Sequence, residues 1–298
     1  MERKAVKTVT VIGGANTDIG ASSKKKLVMR DSNIGSVTVS FGGVGRNIAE
    51  NLVNLGVKVR FITALGDDSF GKSLLADCRE KGMDMSCTLI CPEERSSVYI
   101  YVCDSDGDML MAVNDMDIVL RITPEYLADH MDEINSSDAV VIDGNLSRES
   151  IEYICNNSAA PVYADTVSEA KAERFSSVPD KLRGIKPNIM EARLLTGMTD
   201  AESCARELTA RGVGRTFISE GLEGITAAEA GKLVHRDAVR AHCVNATGAG
   251  DAVTAAAVWA DINGLSLEKS VELAVMAGAL AVESEKTVSP ELIRITQI

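Results

Sequence analysis

The sequence predicts an α/β fold: a layered sheet with helices on both faces, plus a small β-sheet lid. Two observations carry this. Apolar strand-like runs alternate with amphipathic helical runs along most of the chain, the pattern of a layered sheet. Two segments, at about 20–40 and 96–118, interrupt that alternation with short β-branched stretches and polar turns. The length of 298 residues suits a sizeable core, and no linker, repeat or low-complexity stretch divides it. A single α/β domain over 1–298, with the two insertions forming the lid, is the expected organisation.

The elements follow in order. VKTVTVIGGANTDIG, starting at Val6, reads as a buried strand ended by glycines, then a loop carrying Asn16 and Asp18. KKKLVMRDSNIGSVTVSFGG, from Lys24, suggests β-structure that is only partly covered, with the lysine run as a solvated edge. Asn47 to Leu55 is an amphipathic helix with Ile48, Leu52 and Leu55 on one face. VKVRFITALG is the next strand and SFGKSLLADCREKG the next helix. Ser96 to Val119 alternates around a turn at Asp104 to Asp108 and reads as a hairpin. The βα alternation then resumes with DAVVIDGN, SRESIEYICNN and PVYADT, and a helix from about Leu267 to Glu283 comes last.

Composition narrows the function. The net charge of −12 argues against a nucleic-acid partner. An anionic substrate would therefore need a local positive device, such as a helix N-terminus, an arginine or a metal. The seven cysteines show no CxxC spacing, and no neighbouring His in the sequence completes a zinc set around Cys87 and Cys91. They are expected to be reduced thiols in small apolar spaces. No leader-like or membrane-spanning apolar run is found, so a cytoplasmic protein without a membrane partner is expected.

The segment VNATGAGDAV, Val244 to Val253, carries the strongest chemical signal. A strand-like segment ends at Val244 and a helix is expected over Ala252 to Ala260, so Gly248-Ala249-Gly250-Asp251 sits at a helix N-terminus. Backbone N–H groups there lack partners, and the helix dipole favours negative charge. Glycines let an anion approach the backbone. Asp251 has two readings: a helix cap, or a base that takes a proton from a hydroxyl attacking a phosphate bound on those N–H groups. Asn145, at the carboxyl end of AVVIDG, is placed for a ligand contact or a turn. No GxxxxGK[ST] loop is present, and GGVGRN lacks the glycine spacing of a dinucleotide fingerprint.

GGVGRNIAENLVNLG from Gly42, KPNIMEARLLTG from Lys186, ISEGLEG from Ile218 and NATGAGDA from Asn245 together resemble, in order and spacing, the signature stretches of the ribokinase-like (PfkB) sugar and nucleoside kinases. Within that family GGANTDIG, RDSNIGSV, Arg46 and NDMDI (Asn114 to Ile118) resemble the pseudouridine kinases. The resemblance implies a ribokinase-like three-layer α/β/α domain with a β lid. It implies transfer of the γ-phosphoryl group of ATP, with Mg2+, to the ribose 5′-hydroxyl of pseudouridine. In that scheme Asp251 is the general base and the Gly248-Ala249-Gly250 turn is the anion hole. Asn16, Asp18, Gly43 and Asn47 face the ribose, where a carboxylate and amides suit vicinal hydroxyls. Arg46 serves either the base or the structure. Asn33 and Asn114 are lid residues that either contact the base or belong to turn and lid packing. Asn188 and Glu191 lie by the phosphates and the magnesium, Glu191 as the metal residue acting through ordered water. Ser219, Gly221, Gly224 and Thr247 border the nucleotide. Asn245 stands where the family often has an Asp that helps a monovalent cation, which leaves potassium activation open. The resemblance also implies a homodimer formed through the lid. The alternatives are a kinase for another nucleoside or sugar, and a non-catalytic ligand-binding regulator. The latter would be expected to lose Asp251 or the GAG turn, and both are present.

Overall fold

The computed structural model describes residues 6–297. Met1 to Ala5, which belong to the N-terminal stretch on which the expectation about a leader was based, and Ile298 lie outside the described residues. In chain order the elements are β1 (Thr8–Ile12), β2 (Asn16–Ser23), β3 (Gly35–Gly42), α1 (Val44–Asn54), β4 (Lys58–Ile62), β5 (Ala64–Gly66), α2 (Ser69–Glu80), β6 (Leu89–Cys91), β7 (Val98–Cys103) and β8 (Met109–Asp115). Next come α3 (Pro124–Ala128), α4 (Met131–Asn135), β9 (Ala139–Asp143), α5 (Arg148–Asn157), β10 (Val162–Asp165), α6 (Glu169–Ala172), β11 (Leu182–Lys186), α7 (Ile189–Thr196) and α8 (Ala201–Ala210). The chain closes with β12 (Arg215–Ser219), β13 (Ile225–Glu229), β14 (Lys232–Arg236), α9 (Ala249–Ile262) and α10 (Leu267–Val282).

The main sheet has eight strands in the order β14-β13-β12-β11-β10-β9-β1-β4. Strands β4, β1, β9, β10, β11 and β12 are parallel, and β13 and β14 add an antiparallel edge. The parallel strands read as apolar runs because both faces are covered. Alternate residues of β1 and β9 go to opposite faces. Val9, Val11 and Val141 pack in one core with residues of α1, α2, α9 and α10. Ile12, Val140 and Ile142 pack in a second core with residues of α5. Helix α9 is apolar nearly all round, as a helix enclosed by neighbours must be. The chain leaves β1 for neighbours on both sides, β4 and β9, so a crevice is expected at the carboxyl ends of these strands.

The lid is a four-stranded sheet in the order β3-β2-β7-β8. Asn16 and Asp18 were expected on a loop; they open β2 instead. The segment NTDIGASS has too few apolar residues to advertise a strand, and β2 is held by backbone pairing to β3 and β7. Cross-strand register sorts the lid residues by face. Asp18 pairs with Ser40 and Tyr99, and Tyr99 with Asn114, so these share the face over the main sheet. Ile19, Val39, Ile100 and Val113 align on the other face, followed by Ala21, Val37, Val102 and Met111. Val37, Val39 and Val113 are each more than 60% exposed there.

Candidate active site

A cleft of about 380 Å³ lies between the lid and the main sheet. Asn16, Asp18, Gly43, Asn47, Asn114, Asn145, Thr247, Gly248 and Asp251 all line it, although they come from separate motifs. Ser40, Tyr99, Tyr101, Val167, Lys171 and Asn245 complete much of the wall.

Asp251 sits in the first turn of α9, which starts at Ala249, earlier than the expected Ala252. Ala252 N–H closes the first helical turn on the Gly248 carbonyl. The N–H groups of Ala249, Gly250 and Asp251 therefore have no intrahelical acceptor. Gly248 has φ 86°, and a Cβ there would lie 2.1 Å from the Thr287 carbonyl oxygen. Only glycine fits this left-handed, crowded position. Asp251 Oδ2 accepts from Asn47 Nδ2 at 2.8 Å. Burial pushes its carboxyl up to about 7, helped by the charge of Asp165 and opposed by Asn47 and Lys186. A carboxylate so tuned, beside free helix N–H groups, can take a proton near neutral pH.

Beneath it lies a charged network. Asp165 Oδ2 accepts from Thr254 Oγ1 at 2.6 Å and from Lys186 Nζ at 3.3 Å. A Cβ on Gly250 would come within 2.8 Å of Lys186 Nζ, so the lysine underlies the helix start. Asp143 accepts from the backbone N–H of Gly14 at 2.9 Å and of Asn145 at 2.8 Å, which shapes the loop after β1. Burial raises its carboxyl. Asn16 Nδ2 donates to Asp18 Oδ1 at 2.6 Å. Burial raises the Asp18 carboxyl, and Asn16 and Arg46 pull the other way. A Cβ on Gly42 would lie 2.1 Å from Asp18 Oδ2, so this glycine makes room for the carboxylate.

Two expected substrate contacts lie elsewhere. Asn33 is exposed at the lid tip, where its amide donates to the Val28 and Asp31 carbonyls and accepts from Val28 N–H. Its hydrogen bonds close the β2–β3 loop. Arg46 is 4% exposed and donates to the Phe41 carbonyl and to Asp77, with Glu50 at 2.8 Å. It ties α1 to α2, and its neighbour Asn47 faces the cleft.

Asn188 caps α7, and with Glu191 forms a reciprocal capping box. Glu191 accepts from Thr166 Oγ1, Asn188 N and Asn188 Nδ2 at 2.6–2.8 Å. A carboxylate has about four lone-pair sites, so one remains for a water on a hydrated magnesium ion, which suits a metal that keeps most of its water. Ser219 bridges to Asn188 at the ends of β11 and β12. Gly221 and Gly224, with φ 63° and 108°, flank the turn that follows β12. These residues lie outside the cleft lining. Asn245 Oδ1 accepts from Thr247 N–H at 2.9 Å. That neutral oxygen keeps one lone pair, so the position retains an oxygen ligand but lacks the charge of an Asp.

Asp143, Asp165, Lys186, Lys171 and the two lid tyrosines were missed by motif reading. Asp143 and Asp165 carried a usable signal: each ends an apolar parallel strand, and they are register partners. Cys78, Cys87, Cys155 and Cys204 are buried thiols, while Cys243 is exposed. The fold brings His130 and Glu133 beside Cys87, with donor atoms within 4.8 Å of one another, a grouping that sequence spacing hid.

Comparison with known proteins agrees with this architecture. The family model described as pfkB family carbohydrate kinase matches residues 6–294. The chain is 35% identical over 291 residues to pseudouridine kinase of Escherichia coli (strain K12), covering 95% of this chain and 93% of that one. It is 26% identical to guanosine-inosine kinase of Exiguobacterium acetylicum, covering 95% of each. A carbohydrate kinase from Agrobacterium tumefaciens superposes with TM-score 0.86 at 25% identity, covering 97% of this chain and 96% of that one. Among the described residues no helix is long and apolar enough to cross a membrane.

Proposed function

The chain belongs to the pfkB family of carbohydrate kinases and is a phosphotransferase with an alcohol acceptor; from that premise we propose that it phosphorylates the ribose 5′-hydroxyl of pseudouridine with ATP. The observation that carries the nucleoside part is the inner face of the lid. Tyr99 and Tyr101 stand there with ring centroids 5.8 Å apart, and Asn114 is the register partner of Tyr99. Flat aromatic surfaces suit a base, and an amide offers both a donor and an acceptor to its edge. Gly20 leaves room for this, since a Cβ would strike the Tyr101 hydroxyl at 2.4 Å. Below, Asp18 and Asn16 suit vicinal ribose hydroxyls. Pseudouridine is favoured over other nucleosides by the 35% identical relative.

In this scheme Asn47 holds Asp251 toward the acceptor, and Asp251 takes the 5′-hydroxyl proton as oxygen attacks phosphorus. The N–H groups of Ala249 and Gly250 stabilise charge on the transferred group. Asn188, Ser219, Gly221, Gly224 and Thr247 border the nucleotide. Bound magnesium would neutralise phosphate charge, held through water by Glu191.

The test is ADP release with Mg-ATP and a panel of pseudouridine, uridine, adenosine, cytidine, inosine and ribose. Pseudouridine is expected to give the highest kcat/KM. Preference for inosine or ribose would transfer the same site to another acceptor, and the guanosine-inosine kinase relative makes the purine arm worth running.

The outer lid face supports a second copy as partner. Val37, Val39, Ile100, Met111 and Val113 form a contiguous exposed apolar surface on a sheet, which a monomer rarely leaves bare. Light scattering should show a dimer for the native chain and a monomer for the Val37→Asp/Val113→Asp variant. A native monomer at micromolar concentration would refute the dimer.

A further inference from the structure

The chain between β10 and α6 takes an unusual course. Val167 has φ 68°, and Ser168 N–H donates to the Thr166 carbonyl at 2.8 Å. This is a γ-turn with positive φ, the rarer and strained form, at a β-branched residue that ordinarily avoids that region. Asp165 Oδ1 holds it by accepting from Val167 N–H at 2.9 Å. Strain of this kind persists where surrounding structure enforces it, commonly beside a binding site, and Val167 lines the cleft. The turn starts α6 at once, and α6 carries Lys171 into the same wall.

Lys171 is the one basic side chain in the cleft lining among the described residues. Its ammonium donates to Asn145 Oδ1 at 2.6 Å. Among the described residues no carboxylate forms a salt bridge with it, unlike Lys186 with Asp165. Its neighbour Arg174 is spent on structure, donating to the Gly144, Asn145 and Leu146 carbonyls that hold the Asn145 loop. An ammonium has three donors, so Lys171 keeps two for a ligand. The surrounding cleft carries Asp18 and Asp251, which repel an incoming phosphoryl group. A compact cation in the wall offsets that repulsion.

We propose that Lys171 contacts the phosphoryl group as it passes to the acceptor hydroxyl, with Asn145 positioning the ammonium. This rests on the kinase function proposed above. The acceptor oxygen forms its bond to the γ-phosphorus, the bond from that phosphorus to the β,γ-bridging oxygen breaks, and ADP leaves with the electron pair. The hydroxyl proton goes to Asp251. Lys171 stays protonated and neutralises charge on the moving oxygens and on the monophosphate product.

The test compares native protein with Lys171→Met and Lys171→Arg. Losing one such donor lowers kcat by about 10²-fold, so Lys171→Met should lose that much with its melting temperature and nucleoside KM nearly unchanged. Lys171→Arg should recover part of the loss. By calorimetry without ATP, the native chain should bind pseudouridine 5′-phosphate more tightly than pseudouridine, and Lys171→Met should lose that margin. A Lys171→Met enzyme with native kcat and an intact margin overturns the inference while the kinase function stands. So does a variant that loses nucleoside affinity and keeps the margin, because the lysine would then serve the sugar or base. Absence of turnover by native protein with every acceptor in the panel would overturn both proposals.

Discussion

Asp251→Asn should abolish turnover and, at alkaline pH, raise the melting temperature. General-base catalysis contributes about 10²–10⁴-fold, so kcat should fall by at least that while Mg-ATP still binds. The stability effect follows from burial. The folded carboxyl is pushed up to about 7 from the ordinary 3.8, first by desolvation and then by Asp165. A carboxyl whose pKa is higher in the fold than in the unfolded chain binds its proton more tightly when folded. Its ionisation therefore costs stability, fully so above about pH 7, and the penalty fades as pH falls toward 4. Asparagine removes the charge and keeps an oxygen for Asn47 Nδ2. The variant should melt above native protein at pH 8, by less at pH 5, and close to it at pH 4. Native kcat should rise with pH through about 7 as Asp251 ionises. Full activity in the variant would refute the base, and a lower melting temperature at pH 8 would refute the account of burial.

How far the sequence led can be judged residue by residue. The main sheet was legible because its strands are apolar runs such as TVTVI and AVVID, separated by amphipathic helices. The lid hairpin was legible from β-branched alternation around Asp104 to Asp108. Strand β2 was not, because its residues NTDIGASS are polar or small and its place is set by pairing with chain far away. In the cleft, glycine-rich motifs pointed to Asn47, Gly248 and Asp251 because crowded backbone restricts residue choice locally. Lys171 had no such marker. Its place depends on a strained turn at Val167 that no propensity predicts, since valine disfavours it. Arg46 stands beside Asn47 in the sequence, yet successive helical residues face different directions. One is drawn to Asp77 and Glu50, the other to Asp251.

Lys186→Met should be the most destabilising single change at this site. Lys186 is 8% exposed, and Asp165, its partner at 3.3 Å, is 2% exposed. Burial alone would lower the lysine's pKa; Asp165, Asp251 and Glu191 together outweigh that and raise it. Methionine fills similar volume but leaves these carboxylates without their shared counter-charge. Removing one partner of a buried pair costs about 3–5 kcal/mol, to be read by denaturant unfolding at pH 8. The deficit should shrink on acidification, because Asp251, already raised to about 7, takes up a proton and relieves the repulsion. In any variant that still folds, losing the cation should move Asp251 higher still and displace the activity profile to more alkaline pH. Native-like stability at pH 8 would mean that Thr254 and solvent suffice for Asp165. An unshifted activity profile would mean that Lys186 does not help keep Asp251 ionised.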